Sequence, residues 1–153
     1  MKLFSLSQTQ DLPISLNEAW DFFSSPRNLD AITPPDLAFE ITCDLPARMF
    51  QGQIISYRIG LLPGIRVNWI TEIKWVEEGR CFVDEQRFGP YAFWYHRHTF
   101  DEIDGGVRIG DQIHYGVPFG PLGLITHPFL VKPKLDRIFT FRKAELRRRF
   151  GTL

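Results

Sequence analysis

The stretch Phe93-Trp94-Tyr95-His96-Arg97-His98-Thr99-Phe100-Asp101-Glu102-Ile103-Asp104-Gly105-Gly106-Val107-Arg108-Ile109-Gly110-Asp111-Gln112-Ile113-His114-Tyr115 decides the fold. Asp104-Gly105 at its centre is a strong hairpin signal, because a type I′ turn needs positive φ at both central residues. A two-residue turn there sets the register: Ile103 opposes Gly106, Phe100 opposes Ile109, His98 opposes Asp111 and Trp94 opposes Tyr115. Successive strand residues point to opposite faces. Trp94, His96, His98 and Phe100 therefore share a face with Ile109, Asp111, Ile113 and Tyr115, while Arg97, Thr99, Asp101, Arg108, Gln112 and His114 take the other. The apolar partners match across the hairpin, which supports the register independently of the turn. Two histidines and an acid thus sit on an otherwise oily face, where polar groups need each other or a ligand.

Outward from this hairpin the text is strand after strand. Residues 37–43, 53–61, 65–76, 81–88, 93–102 and 107–117 are separated by Pro63-Gly64, Glu78-Gly79, Gly89-Pro90 and Asp104-Gly105. Such short connections make neighbouring strands antiparallel. Phe82, Asp84, Gln86 and Phe88 extend the inner face, and Ile65, Val67, Trp69, Ile73 and Trp75 are expected to continue it, with Tyr57 nearby. Residues 1–12 read as a further strand. Ser15-Leu16-Asn17-Glu18 is a capping box opening a short helix with Leu16, Ala19, Trp20 and Phe23 on one stripe. Pro26 opens a second short helix through Leu29 and Ile32, and Thr33-Pro34-Pro35 must end it. A Gly- and Pro-rich connector over 118–123 ends the sheet. Helical spacing returns from about Ile125, with Leu135, Ile138, Phe139, Arg142, Leu146 and Phe150 as its stripe. Pro133 either starts that helix or kinks it.

At 153 residues the chain is the length of one domain, spanning 1–153, and Lys plus Arg and Asp plus Glu each total 18. This neutral balance gives no electrostatic footprint for nucleic acid. No run approaches the ~18 apolar residues of a spanning helix, and the first ten residues lack an apolar signal core. Cys43 and Cys81 are solitary, which reads as small hydrophobes in a reducing compartment. The expectation is a cytoplasmic protein with no integral membrane segment. One long helix and one antiparallel sheet bury both apolar faces when the sheet curls around the helix. The fold class is therefore α+β: a curved antiparallel sheet of about six to seven strands wrapped around a long C-terminal helix, with two short helices after the first strand.

This order resembles the START-like or Bet v 1-like superfamily (SRPBCC, related to polyketide cyclases and dehydratases), the helix-grip fold. Two segments carry the resemblance: Asp84-Glu85-Gln86-Arg87-Phe88-Gly89-Pro90-Tyr91 running on to Trp94-x-His96-x-His98-x-Phe100, and Asp111-Gln112-Ile113-His114-Tyr115 with Pro118-Phe119-Gly120. They look like the small bacterial ligand-binding branch. The resemblance implies a cavity between sheet and helix that takes a small apolar or amphipathic, lipid-like ligand. Fold alone does not choose among that superfamily's carriers, receptors and enzymes.

The residues point to a binding protein more than to an enzyme. In that reading Asp84, Gln86, His96, His98, Asp111 and Tyr115 recognise an oxygenated group, with His98 paired to Asp111 and His96 to Asp84. Trp69, Trp94, Phe100, Ile113, Leu135 and Phe139 supply apolar walls. A second reading is a cyclase- or dehydratase-type enzyme using His98 and Asp111 as the acid–base pair. A third is a non-catalytic interaction domain whose histidine network is structural. No cofactor or metal is expected: His-x-His with an opposing acid suits zinc or iron, but the motif alone lacks its confirming context. Between Lys132 and Arg149 eight basic residues face two acids, which reads as a solvated helix face, with contact to an anionic membrane or partner protein as the alternative. Phe119 and Leu122 in the connector read as turn residues first and lid contacts second.

Overall fold

The computed structural model describes all residues, Met1–Leu153. Strand β1 (Leu3–Leu12) is followed by helix α1 (Leu16–Phe23), then by β2 (Glu40–Ile41), β3 (Ile54–Leu62), β4 (Ile65–Glu77), β5 (Cys81–Phe88), β6 (Phe93–Ile103) and β7 (Gly106–Gly116). Helix α2 (Gly120–Thr126), one π-helical turn (His127–Val131) and helix α3 (Lys132–Phe150) close the chain. The seven strands form one antiparallel sheet in the order β1-β7-β6-β5-β4-β3-β2. The β6–β7 register is the one the Asp104-Gly105 turn dictates, with His98 opposite Asp111 and Trp94 opposite Tyr115.

Local chemistry accounts for the remaining boundaries. Ser15 and Glu18 form the expected capping box, the Glu18 amide donating to Ser15 Oγ at 3.2 Å. The second short helix resolves into three 3₁₀ turns, Pro26–Asn28, Asp30–Ile32 and Pro35–Leu37. Two successive prolines deny the segment the amides a longer α-helix needs. The last of these turns ends with Ala38 at φ 45°, which shortens the expected strand over 37–43 to Glu40–Ile41. The connector over 118–123 is also shorter than expected, because helix starts at Gly120 behind Phe119 at φ 66°. Gly123 packs so closely that a Cβ there would lie 1.9 Å from the Pro118 carbonyl oxygen. Pro133 sits in the first turn of α3, where a missing amide is tolerated.

Two β-bulges correct the inner face. The register of β4 against β5 shifts between Ile70 and Thr71 and again between Ile73 and Trp75. Each extra residue reverses which side chains face the core. Trp75 and Phe88, both expected inside, consequently face solvent at 51% and 61% exposure. Ile65, at the tip of the β3–β4 hairpin, is likewise exposed.

The core is layered. Trp20, Phe82, Phe100, Val107, Ile109 and Leu146 belong to one apolar cluster, and Trp69, Trp94, Ile113, Tyr115, Leu135 and Phe139 make the other. Between them a layer of polar residues crosses the molecule: Gln8 of β1, Asp111 of β7, His96 and His98 of β6, Asp84 of β5 and Arg142 of α3.

Candidate functional site

A cavity of about 190 Å³ lies between the concave sheet face and α3. That is more than ten times the ~10–15 Å³ a single water needs. Phe23, Leu29 and Ile32 line it beside α1, and Leu61, Tyr91 and Lys134 line it at the other end. Tyr57, Trp69, Trp94, Ile138 and Phe139 add a mostly aromatic wall, and Lys134 ties α3 to the β3–β4 hairpin through the Gly60 and Leu61 carbonyls.

The polar layer forms part of this wall, and its pairing differs from the sequence expectation. His96 and His98 lie opposite Asp84 and Asp111 in the strand register, yet their short hydrogen bonds run diagonally. His96 Nε2 is 2.8 Å from Asp111 Oδ1, and His98 Nε2 is 2.8 Å from Asp84 Oδ2. The in-register approaches are longer: His96 Nδ1 to Asp84 Oδ2 at 3.7 Å and His98 Nδ1 to Asp111 Oδ1 at 3.5 Å. Diagonal neighbours are within reach of long side chains on a pleated sheet. The rings lie against each other, with centroids 3.7 Å apart, so each imidazole touches both carboxylates. Gln8 Nε2 donates to Asp111 Oδ2 at 3.2 Å, and Arg142 Nη1 stands 3.6 Å from Asp111 Oδ1.

The electrostatics follow from burial and these partners. Burial raises the carboxyl pKa of Asp111, but the His96 hydrogen bond and the nearby His96, Arg142 and His98 charges outweigh it and leave it well below the usual range. Burial opposes ionisation of Asp84 in the same way, and the His98 hydrogen bond with the surrounding charges lowers it on balance. Burial, reinforced by repulsion from His96, pushes His98 down to about 4 against the pull of both acids. Near neutrality the layer holds two carboxylates, a guanidinium and a neutral His98. Each Nε2–H donating to its acid is the tautomer these distances favour.

Seven of the twelve expected site residues line the cavity: Trp69, Asp84, Trp94, His96, His98, Leu135 and Phe139. The other five do not. Asp111 sits behind the two histidines. Gln86 folds back on the turn after β5, donating to the Tyr91 carbonyl at 2.7 Å and accepting from the Tyr91 amide at 3.1 Å. Tyr115 shares a 2.8 Å hydrogen bond with His127 Nε2, which stacks on Phe4. Phe100 and Ile113 pack within the two apolar clusters.

Two site residues escaped the sequence reading. Arg142 was grouped with the solvated basic face, although it lies on the buried stripe; it is 8% exposed, and its Cζ lies 4.8 Å from the Phe139 ring centroid. Lys134 also turns inward to the cavity end, Lys143 is half-buried, and the other basic residues of the run face solvent, with Lys132–Asp136, Arg137–Asp36 and Arg148–Glu145 pairs. His127 falls at the helical spacing 127, 131, 135, and the stripe extended backward from Leu135 would have found it. Phe119 and Leu122 are 80% and 63% exposed and cover nothing. Three buried donors have no acceptor, Gln53 Nε2, Trp69 Nε1 and Arg142 Nε, and of these residues Trp69 and Arg142 line the cavity.

No protein-family model and no curated protein sequence matches the chain. Solved structures do. The Zhui aromatase/cyclase from Streptomyces sp. R1128 superposes with a TM-score of 0.74 at 12% identity, covering 99% of this chain and 100% of its own. Protein CV1439 from Chromobacterium violaceum gives 0.73 at 11%, with 98% and 99% covered, and Ara h 8.0201 gives 0.62 at 15%, with 95% and 98% covered. At such identities the likeness is one of fold: the chain shares the helix-grip architecture of these structures. No helix is long and apolar enough to cross a membrane.

Proposed function

We propose that this chain binds a small, mostly apolar molecule carrying at least one neutral hydrogen-bond acceptor. The observation that carries this reading is the pair of buried, unpartnered donors, Trp69 Nε1 and Arg142 Nε, on residues lining an aromatic-walled cavity. A buried donor left without an acceptor costs ~1–3 kcal/mol, and a carbonyl or ether oxygen on a guest removes that penalty. A neutral acceptor suits this wall because the carboxylates of Asp84 and Asp111 stand beside it and oppose a further negative charge. The role follows as carriage or sensing within the cytoplasm.

The enzymatic alternative draws on the two imidazoles that face the cavity, each held by a carboxylate. A general base works best with a pKa near the operating pH; burial pushes His98 below that range, and the unpartnered donors in the cavity wall speak for a bound guest. Binding is therefore the better reading.

Titration with a neutral naphthalene fluorophore tests it, reading energy transfer from the cavity indoles. Saturable binding of one probe per chain, displaced by apolar ketones or esters and not by the matching carboxylic acids, supports the proposal. Absence of saturable binding, or preference for the acids, overturns it.

A further inference from the structure

We infer that Asp84, His96 and His98 form a binding site for a first-row divalent metal ion such as zinc or iron(II), with Asp111 orienting both imidazoles from behind. The three donor atoms lie within 4.8 Å of one another. Asp84 Oδ2 is 2.8 Å from His98 Nε2 and 3.7 Å from His96 Nδ1. Ligand atoms around an ion with ~2.1 Å bonds stand roughly 3.0–3.4 Å apart in octahedral or tetrahedral geometry. To reach that spacing the Asp84–His98 pair opens by a few tenths of an ångström, and the two imidazole donors, which stand up to 4.8 Å apart, swing together by as much as roughly 1.5 Å. Two imidazoles and one carboxylate are the donor set that suits zinc and non-haem iron.

The surroundings separate this cluster from an ordinary buried network. With His96 Nδ1 and His98 Nε2 assigned to the ion, the opposite ring nitrogens, His96 Nε2 and His98 Nδ1, both face one atom, Asp111 Oδ1, at 2.8 and 3.5 Å. Metal-bound histidines characteristically donate their second N–H to a carboxylate in this way. Asp111 is itself fixed by Gln8 and approached by Arg142. Asp84, His96 and His98 all line the cavity and Asp111 does not, so the three ligands face the open space and the orienting acid lies behind them. The proton count balances: His96 keeps its Nε2 proton, and the His98 proton passes from Nε2 to Nδ1 as the ion takes Nε2. Coordination positions not filled by protein face the cavity, where an oxygen atom of a guest or water completes the shell.

Only that last point rests on the guest-binding proposal. Ion binding is measured without any guest, and guest binding on chelator-treated protein, so either can fail alone. The test is titration of chelator-treated protein with Co(II), read by its visible ligand-field bands and by the histidine ring NMR signals, with Zn(II) competing. The expected result is one ion per chain, the large contact-shifted ring signals belonging to His96 and His98, and displacement by Zn(II). D84N should lower affinity more than roughly 100-fold and D111N roughly 10–100-fold. Shifts at His114 or His127 instead, unchanged affinity in folded D84N, or no saturable binding each overturn the inference. Should D84N not fold, the ring signals of the unaltered chain still decide.

Discussion

Acidification should unfold the metal-free protein through His98 before it reaches the carboxylates. His98 is buried beside Asp84, His96, Asp111 and Arg142, and its pKa falls from 6.5 to about 4 on folding. The unfolded chain therefore binds a proton that the folded chain refuses, and stability is lost as pH falls from about 6.5 toward 4. The full difference of 2.5 pKa units is worth roughly 3 kcal/mol, of which about 2 kcal/mol is lost between pH 7 and pH 5. Asp84 and Asp111 have lowered pKa values, so their contribution is present above the ordinary carboxyl range and disappears only at lower pH. His127, also lowered by burial and by Lys2 and Lys132, adds a loss of the same sign. Comparison with His98→Asn isolates the His98 part, because asparagine keeps a donor for Asp84 without titrating here. Urea unfolding of chelator-treated protein at pH 7 and pH 5 should move the midpoint down by ~1 M in the unaltered chain, and by clearly less in the variant. Equal losses in the two proteins would refute the assignment of His98 as a buried neutral group.

Three further outcomes follow from single contacts. Arg142→Met leaves Asp111 with its His96 and Gln8 hydrogen bonds but without its guanidinium, and should destabilise by about 2–4 kcal/mol; Asp111→Asn in the same chain should recover part of that in thermal unfolding. Trp69→Phe removes a buried donor that has no protein acceptor, so stability should change by less than ~1 kcal/mol while affinity for a neutral acceptor ligand falls about tenfold by fluorophore displacement. Gly123→Ala sets a methyl group 1.9 Å from the Pro118 carbonyl oxygen, so calorimetry should show a lower melting temperature and hydrogen exchange should quicken in α2.

Much of the fold was legible because its signals are local. A two-residue Asp-Gly turn leaves one register for β6 and β7, and alternation then assigns every side chain to a face. The stripe through Leu135, Phe139 and Leu146 marks the buried side of α3. What escaped depends on single-residue offsets and side-chain reach. A bulge at Ile73–Trp75 leaves no mark in composition, yet it turns Trp75 outward. The diagonal histidine–aspartate bonds arise from imidazole length and ring stacking, which register alone does not specify. Arg142 was visible as a stripe position and hidden by its membership of a basic run. His127 was hidden because the apolar stripe is named only from Leu135 onward, downstream of the π-helical turn that carries it.

Native mass spectrometry of the protein purified from its own cells without detergent or chelator, repeated after denaturation, tests the central claim most directly. The account predicts a folded chain heavier than its polypeptide by one neutral organic molecule, beside any metal-sized increment from the Asp84–His96–His98 site, with the organic molecule released on unfolding. A bare polypeptide mass at full occupancy of the folded state, with no organic molecule released, would contradict it.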